Sequence, residues 1–347
     1  MELIKLARES IQKLIPYSSA RIESLPRGIR LDANENPFWR KDGLNRYPSP
    51  QPALLRQRLA TLYGVKASQL LLTRGSDEGI DLLTRVFCEA NKDAILITPP
   101  TYGMYEVAAN IQGARIISVL LEKDWALNKE EILKQGNSTL KLIFLCSPNN
   151  PTGNILNTED VTAFCKAFQN QALIVLDEAY IEFSTTSSLA RLVSDYPNLV
   201  ILRTLSKAFG LAGARLGSLI ANPEIIELLQ KVIAPYPIPI LVAKAAMKAL
   251  SAENQARVKS QIQSLQKERD QLQEFLKSLS SVERVYPSQA NFLLVKVKDV
   301  STWMETCKAH QIIIRSRVHL PKLENCVRIT IGTEKENKRL KEVLAYV

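Results

Sequence analysis

Ala172-Leu173-Ile174-Val175-Leu176-Asp177-Glu178-Ala179-Tyr180 passes from five consecutive apolar residues straight into two carboxylates and a tyrosine. Five residues suit a strand rather than a helix, and unbroken apolar character marks a strand covered on both faces. Similar runs occupy 70 to 73, 94 to 98, 115 to 119, 141 to 146 and 199 to 203, with helix-like segments such as 77 to 90 and 157 to 169 between several of them. This alternation predicts an α/β fold with a mostly parallel central sheet. Ligands of such sheets collect outside the carboxyl ends of the strands, where Asp177 and Tyr180 stand.

Beyond residue 235 the texture changes. Pro235, Pro237 and Pro239 precede a long helical stretch over 241 to 279, then strand-like segments at 292 to 297, 312 to 315 and 327 to 331, with helices at about 300 to 309 and 334 to 345. The chain has 347 residues, more than the roughly 250 to 300 at which one core stops growing. The expected organisation is a large α/β domain over 46 to 235 and a smaller α+β domain over 236 to 347. Residues 1 to 45 lack a sheet pattern and are expected to pack with the smaller domain.

Composition excludes several classes. Apolar residues make up 46% and charged residues 23%, the balance of a soluble globular protein rather than a disordered one. The N-terminus shows no secretory signal, and apolar stretches fall short of the roughly 20 residues a membrane-spanning helix needs. A cytoplasmic protein with no membrane association is expected. Five scattered cysteines form no Cys-x-x-Cys pair, so neither a disulfide framework nor a metal site is expected. The net charge of +10 comes from Lys and Arg interleaved with Asp and Glu. That is a bias toward small anionic substrates rather than a nucleic-acid arm.

Thr204-Leu205-Ser206-Lys207-Ala208-Phe209-Gly210-Leu211-Ala212-Gly213-Ala214-Arg215-Leu216-Gly217 carries the most chemistry. A desolvated lysine after a buried strand can form a Schiff base with an aldehyde cofactor, and an arginine fork eight residues on can hold that cofactor's phosphate. Asp177 could pair with a protonated pyridine nitrogen, and Tyr180 could bond a phenolic oxygen, although an isolated strand-end aspartate more often caps a helix. Ser147-Pro148-Asn149-Asn150-Pro151-Thr152-Gly153 is a good turn in its own right. It also offers the Asn150 amide to the same oxygen. Gly75-Ser76-Asp77-Glu78 lies between a strand and a helix, where free N–H groups would face an anion. The aromatic loop at Tyr102 offers a stacking face.

Asn150, Asp177, Tyr180, Lys207 and Arg215, in this order and at these separations, resemble the fold-type I pyridoxal-phosphate transferases over about residues 17 to 332. The wording Cys-Ser-Pro-Asn-Asn-Pro-Thr-Gly, Asp-Glu-Ala-Tyr-Ile-Glu-Phe and Arg-Thr-Leu-Ser-Lys-Ala-Phe-Gly-Leu-Ala-Gly is similar to that of the histidinol-phosphate aminotransferase family. The resemblance implies a large α/β domain plus a smaller α+β domain, pyridoxal 5'-phosphate as cofactor, and interconversion of L-histidinol phosphate and 2-oxoglutarate with imidazole-acetol phosphate and L-glutamate. It implies that Lys207, once displaced from the cofactor, moves the proton at the substrate carbon. The cofactor would be held by Lys207, Asn150, Asp177, Tyr180, Ser206, Arg215, Gly75, Ser76, Asp77 and Tyr102. In a homodimer Tyr47, within Asn45-Arg46-Tyr47-Pro48, would serve the neighbouring subunit's cofactor phosphate. Tyr17, Asn150, Arg315 and Arg328 would contact substrate. Leu216-Gly217-Ser218 departs from the pattern, since an aromatic often follows that glycine.

An aromatic amino acid aminotransferase or a phosphothreonine decarboxylase of the same family would keep Lys207, Asp177 and Arg215. A silent binding protein on the same fold is the reading from another class; the completeness of the five-residue set weighs against it.

Overall fold

The computed structural model describes residues 3–17, 28–38 and 40–347. Seven strands, β1 (Leu70–Thr73), β2 (Ala94–Ile97), β3 (Arg115–Ser118), β4 (Leu140–Cys146), β5 (Leu173–Asp177), β6 (Leu199–Thr204) and β7 (Gly217–Ile220), form one sheet in the order β1-β7-β6-β5-β4-β2-β3. β7 pairs antiparallel with both its neighbours, and the remaining pairs are parallel. The carboxyl ends of β1, β2, β4, β5 and β6 therefore share one edge, and β7 begins at that same edge.

Successive residues of a strand face opposite ways, which explains why β5 is apolar from Leu173 to Leu176. Leu173 and Val175 pack with Ile80, Leu83, Phe87, Ile225 and Leu229 on one face. Ile174 and Leu176 pack with Leu55, Leu59, Phe164 and Phe168 on the other. Each such side chain contributes about 1.5–3 kcal/mol of transfer free energy when fully buried. β3 differs from the expectation of a strand covered on both faces. It is the outer strand, with Arg115 and Ser118 exposed.

A second sheet runs β10 (Arg315–Ser316), β11 (Cys326–Thr330), β9 (Phe292–Val297), β8 (Val282–Val285), antiparallel throughout. Its core gathers Leu272, Leu276, Leu293, Val295, Trp303, Val327, Ile329, Leu340 and Leu344. The expected strand over 312 to 315 is displaced: pairing starts only at Arg315, and Ile313 is 96% exposed.

Packing corrects three further expectations. The described start of the chain lies on the larger sheet's helical layer, not with the second sheet. Leu3 and Leu6 join the core of helix Pro223–Val232, Arg8 pairs with Glu89 at 3.0 Å, and Lys231 donates to the Gln12 carbonyl. The change at residue 235 is not a break in the core either, since Ile238, Ala246 and Leu250 share one apolar cluster with Leu72 and Ile220 of the larger sheet and with Leu294 and Cys326 of the second. The stretch 241 to 279 is two helices, Ile240–Ala249 and Ala252–Lys277; Ser251 caps the second by accepting from the Asn254 amide.

Candidate active site

A cavity of about 560 Å³ opens at the shared carboxyl edge and reaches across to β10 and β11. Ser76, Asp77, Tyr102, Asn150, Asp177, Tyr180, Ser206, Lys207, Arg215, Arg315 and Arg328 all line it. These residues come from seven separate segments of sequence, and the sheet topology brings them together.

Asp177, the last residue of β5, is 2% exposed. Its Oδ2 accepts from the Tyr105 hydroxyl at 2.8 Å and its Oδ1 from the Ala179 amide at 3.1 Å. Burial pushes its carboxyl up to about 6 against those two hydrogen bonds, with Asp77 pushing the same way and Lys207 opposing. Asp177 does not cap the next helix, Ile181–Phe183, which starts from Tyr180 without a side-chain cap; its Oδ1 closes a local turn instead.

Lys207 follows β6, with its ammonium 5.5 Å from the centre of the Tyr180 ring. Burial, then Arg328, pull its pKa below the ordinary lysine value, while Asp77 and Asp177 raise it. An amine so placed is more readily neutral and nucleophilic. Tyr180 is held edge-on by Phe292 at 5.1 Å, and burial raises its phenol.

Asn150 is positioned by its neighbour. The Asn149 side chain donates to the Pro100 carbonyl and the Thr152 hydroxyl and accepts from the Thr101 hydroxyl, fixing the loop. Arg328 donates to Asn150 Oδ1 at 2.5 Å, which leaves the Nδ2 amide as the donor directed at a ligand.

Helix Ser76–Phe87 starts from Gly75, which offers no side-chain cap to the first-turn N–H groups. Asp77 accepts from the Tyr102 hydroxyl at 3.0 Å and from Arg215 at 2.9 Å. Arg215 adopts a left-handed backbone, φ 52°. Two glycines make the arrangement possible. A Cβ on Gly75 would lie 2.6 Å from the Arg215 guanidinium, and one on Gly217 would lie 2.4 Å from the Gly75 backbone. The expected aromatic after Gly217 is Ser218, which is fully enclosed within β7 opposite Leu72 and Arg203.

Three expected site residues do not line this chain's cavity: Gly75, which precedes the lining residue Ser76, and Tyr17 and Tyr47. Tyr17 is 71% exposed, five residues after Gln12, whose carbonyl accepts from Lys231 of helix Pro223–Val232. Tyr47 is half-exposed and stacks on Tyr236 at 4.5 Å, in a segment fixed by Glu35, which pairs with Arg46 at 2.8 Å. Sequence reasoning passed over Tyr105 and Asn149, whose roles depend on contacts across 72 and 48 residues, and Arg317, which lines the cavity.

The donor set fits a phosphate-bearing pyridine aldehyde. An uncapped helix N-terminus with Ser76, Ser206 and Arg215 suits the phosphate, Asp177 the ring nitrogen, Asn150 and Tyr180 a phenolic oxygen, and Lys207 the aldehyde. Fold and cavity together are those of a fold-type I pyridoxal-phosphate aminotransferase. The chain belongs to the family aminotransferase class I and II, whose family model matches residues 23–344, and within it to the histidinol-phosphate aminotransferases. It is 45% identical over 352 residues to histidinol-phosphate aminotransferase 1 of Haemophilus influenzae, with all of both chains covered. It is likewise 45% identical to a histidine biosynthesis bifunctional protein of Photorhabdus laumondii, taking in 98% of this chain and 43% of that longer one. A crystal structure of histidinol-phosphate aminotransferase from Sinorhizobium meliloti in complex with pyridoxal-5'-phosphate is similar with a TM-score of 0.79 at 26% identity, covering 88% of this chain and 84% of that one.

Proposed function

We propose that this chain transfers an amino group between L-histidinol phosphate and 2-oxoglutarate, giving imidazole-acetol phosphate and L-glutamate. The carrying observation is a single cavity that sets Lys207, Asp177, Asn150, Tyr180 and Arg215 opposite Arg315 and Arg328. Similarity along the whole chain to enzymes of that name supports the same reading.

Pyridoxal phosphate, when bound, supplies the electron sink that accepts the charge left on the substrate carbon as its proton departs. Asp177 keeps a proton on the ring nitrogen. Asn150 and Tyr180 donate to the phenolic oxygen, while Ser76, Ser206, Arg215 and the first-turn amides after Gly75 hold the phosphate. Asp77 steadies Arg215 and Tyr102, and Tyr102 covers the ring. The Lys207 amine would take the proton from the substrate carbon that bears the nitrogen and deliver it to the cofactor carbon on the other side of that nitrogen, as general base and then general acid. Arg328 and Arg315 hold the anionic end of the substrate, because a guanidinium fork accepts a carboxylate or a phosphate.

Both substrates use one cavity, so the two half-reactions report on the arginines separately. Arg328→Ala should impair both. Arg315→Ala should weaken histidinol phosphate more than glutamate, by about 1.5–3 kcal/mol for one lost charge-assisted hydrogen bond. Single-turnover rates of each half-reaction measure this. Equal losses would refute a dedicated phosphate role for Arg315, and slow reaction of the unaltered enzyme with histidinol phosphate would refute the assignment.

We further propose a cytoplasmic homodimer with composite sites. Ile15, Tyr17, Ile29, Leu31 and Phe38 are each more than 70% exposed, an apolar concentration that favours a covering partner. All five cysteines are buried and unpaired, as suits a reducing compartment. Tyr47, and Tyr17 with it, would then serve the neighbouring subunit. Mixing Lys207→Ala protein with a strongly impaired Tyr47 variant and allowing subunit exchange should restore part of the activity, because one of the two hybrid sites has both native residues. Absence of recovery despite demonstrated exchange would exclude a role for Tyr47 across the interface.

A further inference from the structure

Three arginines enter the cavity from the smaller sheet, and the reading above uses two of them. Arg315 and Arg328 stand directly opposite each other in the antiparallel β10–β11 register. Arg317 comes two residues after Arg315, and its amide continues the pairing by donating to the Cys326 carbonyl at 2.9 Å. Side chains two residues apart on extended backbone share a side, and all three arginines line the cavity. Like charges directly opposite each other are destabilising, so this register costs the apo protein stability.

The charge is not neutralised locally. Among the described residues no carboxylate lies within ion-pairing distance of Arg315, Arg317 or Arg328; the two carboxylates lining the cavity, Asp77 and Asp177, are engaged by Arg215 and Tyr105. The buried Nε atoms of Arg317 and Arg328 have no hydrogen-bond partner. Burial, followed by Arg328 and Arg315, lowers the Arg317 guanidinium to about 10. Donors and charge therefore converge on one wall in excess of what a carboxylate can use.

We propose that Arg317 is a specificity-determining residue, completing with Arg315 and Arg328 a three-guanidinium cradle that favours a phosphomonoester end of the substrate over a carboxylate. This rests on the proposed function and deepens it. A phosphomonoester carries a charge of about −1.5 to −2 and three acceptor oxygens. A carboxylate has one charge and two oxygens, which a single fork can satisfy. The third guanidinium therefore adds attraction mainly when phosphate is present, and the same pocket can admit glutamate without being saturated by it.

Arg317→Gln and Arg317→Lys, prepared as holoenzymes, test the assignment in two ways. In single-turnover half-reactions the Gln variant should bind L-histidinol phosphate at least about 10-fold more weakly and glutamate within about threefold of the unaltered enzyme, with Lys restoring part of the difference. In calorimetric titration glycerol 3-phosphate, a phosphomonoester with no amine to transfer, should lose affinity in the same order. Equal loss for glutamate and phosphomonoester, or no loss for either phosphomonoester, overturns the proposal. The titration separates it from the reading on which it rests. An enzyme slow on histidinol phosphate, yet binding glycerol 3-phosphate in an Arg317-dependent way, would refute the substrate and retain the cradle; one whose titration ignores Arg317 would refute the cradle whatever the substrate.

Discussion

Lys207→Ala protein should hold no cofactor that borohydride can reduce onto the chain, and its turnover should fall by roughly 10⁴-fold, the upper end of what a positioned acid–base group supplies. The expectation follows from placement. Among the described residues Lys207 is the only lysine lining the cavity, and burial with Arg328 alongside favours its neutral amine. Methylamine added to the variant should recover part of the proton transfer, since the missing group is a base rather than a structural support. Peptide mapping after reduction of the unaltered protein gives the complementary readout. A reduced adduct on another lysine would end the case for this cavity.

Asp177→Asn is the second large effect, with turnover expected to drop by roughly 10²–10³-fold while cofactor still binds. Asparagine keeps the shape and can still accept from the Ala179 amide, yet it cannot hold a proton on a pyridine nitrogen by charge. A stability signature accompanies the loss. Burial raises the carboxyl from its ordinary value to about 6, so the aspartate's favourable form in the cofactor-free fold is the neutral one. That advantage is complete below pH 4 and is lost as pH rises through 6, at a cost on the order of 3 kcal/mol from the linkage of pKa to folding. Cofactor-free Asp177→Asn protein should thus melt at a higher temperature than unaltered protein at pH 8 and at a similar one at pH 4. Normal turnover in this variant would reduce Asp177 to the local turn contact that its Oδ1 makes with the Ala179 amide.

Sequence reading reached the parts of this molecule that local pattern encodes. Leu173–Asp177 and Leu199–Thr204 are legible because both their faces are covered, so their first four residues are all apolar and polar residues enter only at the carboxyl ends. Lys207, Arg215 and Asn150 are legible because each belongs to a short loop of distinctive wording. β7 was not, since its Gly217-Ser218 start breaks the apolar run; glycine is required there by the closeness of the Gly75 backbone. The break at Ser251 was hidden within an otherwise helix-favouring composition. Tyr105 and Arg317 depend on pairing across the fold. The spacing of Arg315 and Arg317 was a usable signal, but only the β10–β11 register puts Arg328 opposite Arg315. The N-terminal segment was assigned to the smaller sheet because its few apolar residues carry no directional pattern, whereas Leu3 and Leu6 find their partners on helix Pro223–Val232.

The central claim is that this cavity transfers the amine of a phosphomonoester substrate, and the most direct test is 2-oxoglutarate-dependent consumption of L-histidinol phosphate measured beside phenylalanine and phosphothreonine. The account predicts a kcat/KM for histidinol phosphate roughly 100-fold or more above that for phenylalanine, whose single carboxylate would engage one arginine and leave the others in the cavity without an anion, with stoichiometric glutamate formed. Preferential turnover of phenylalanine, or loss of carbon dioxide from phosphothreonine without glutamate, would contradict it.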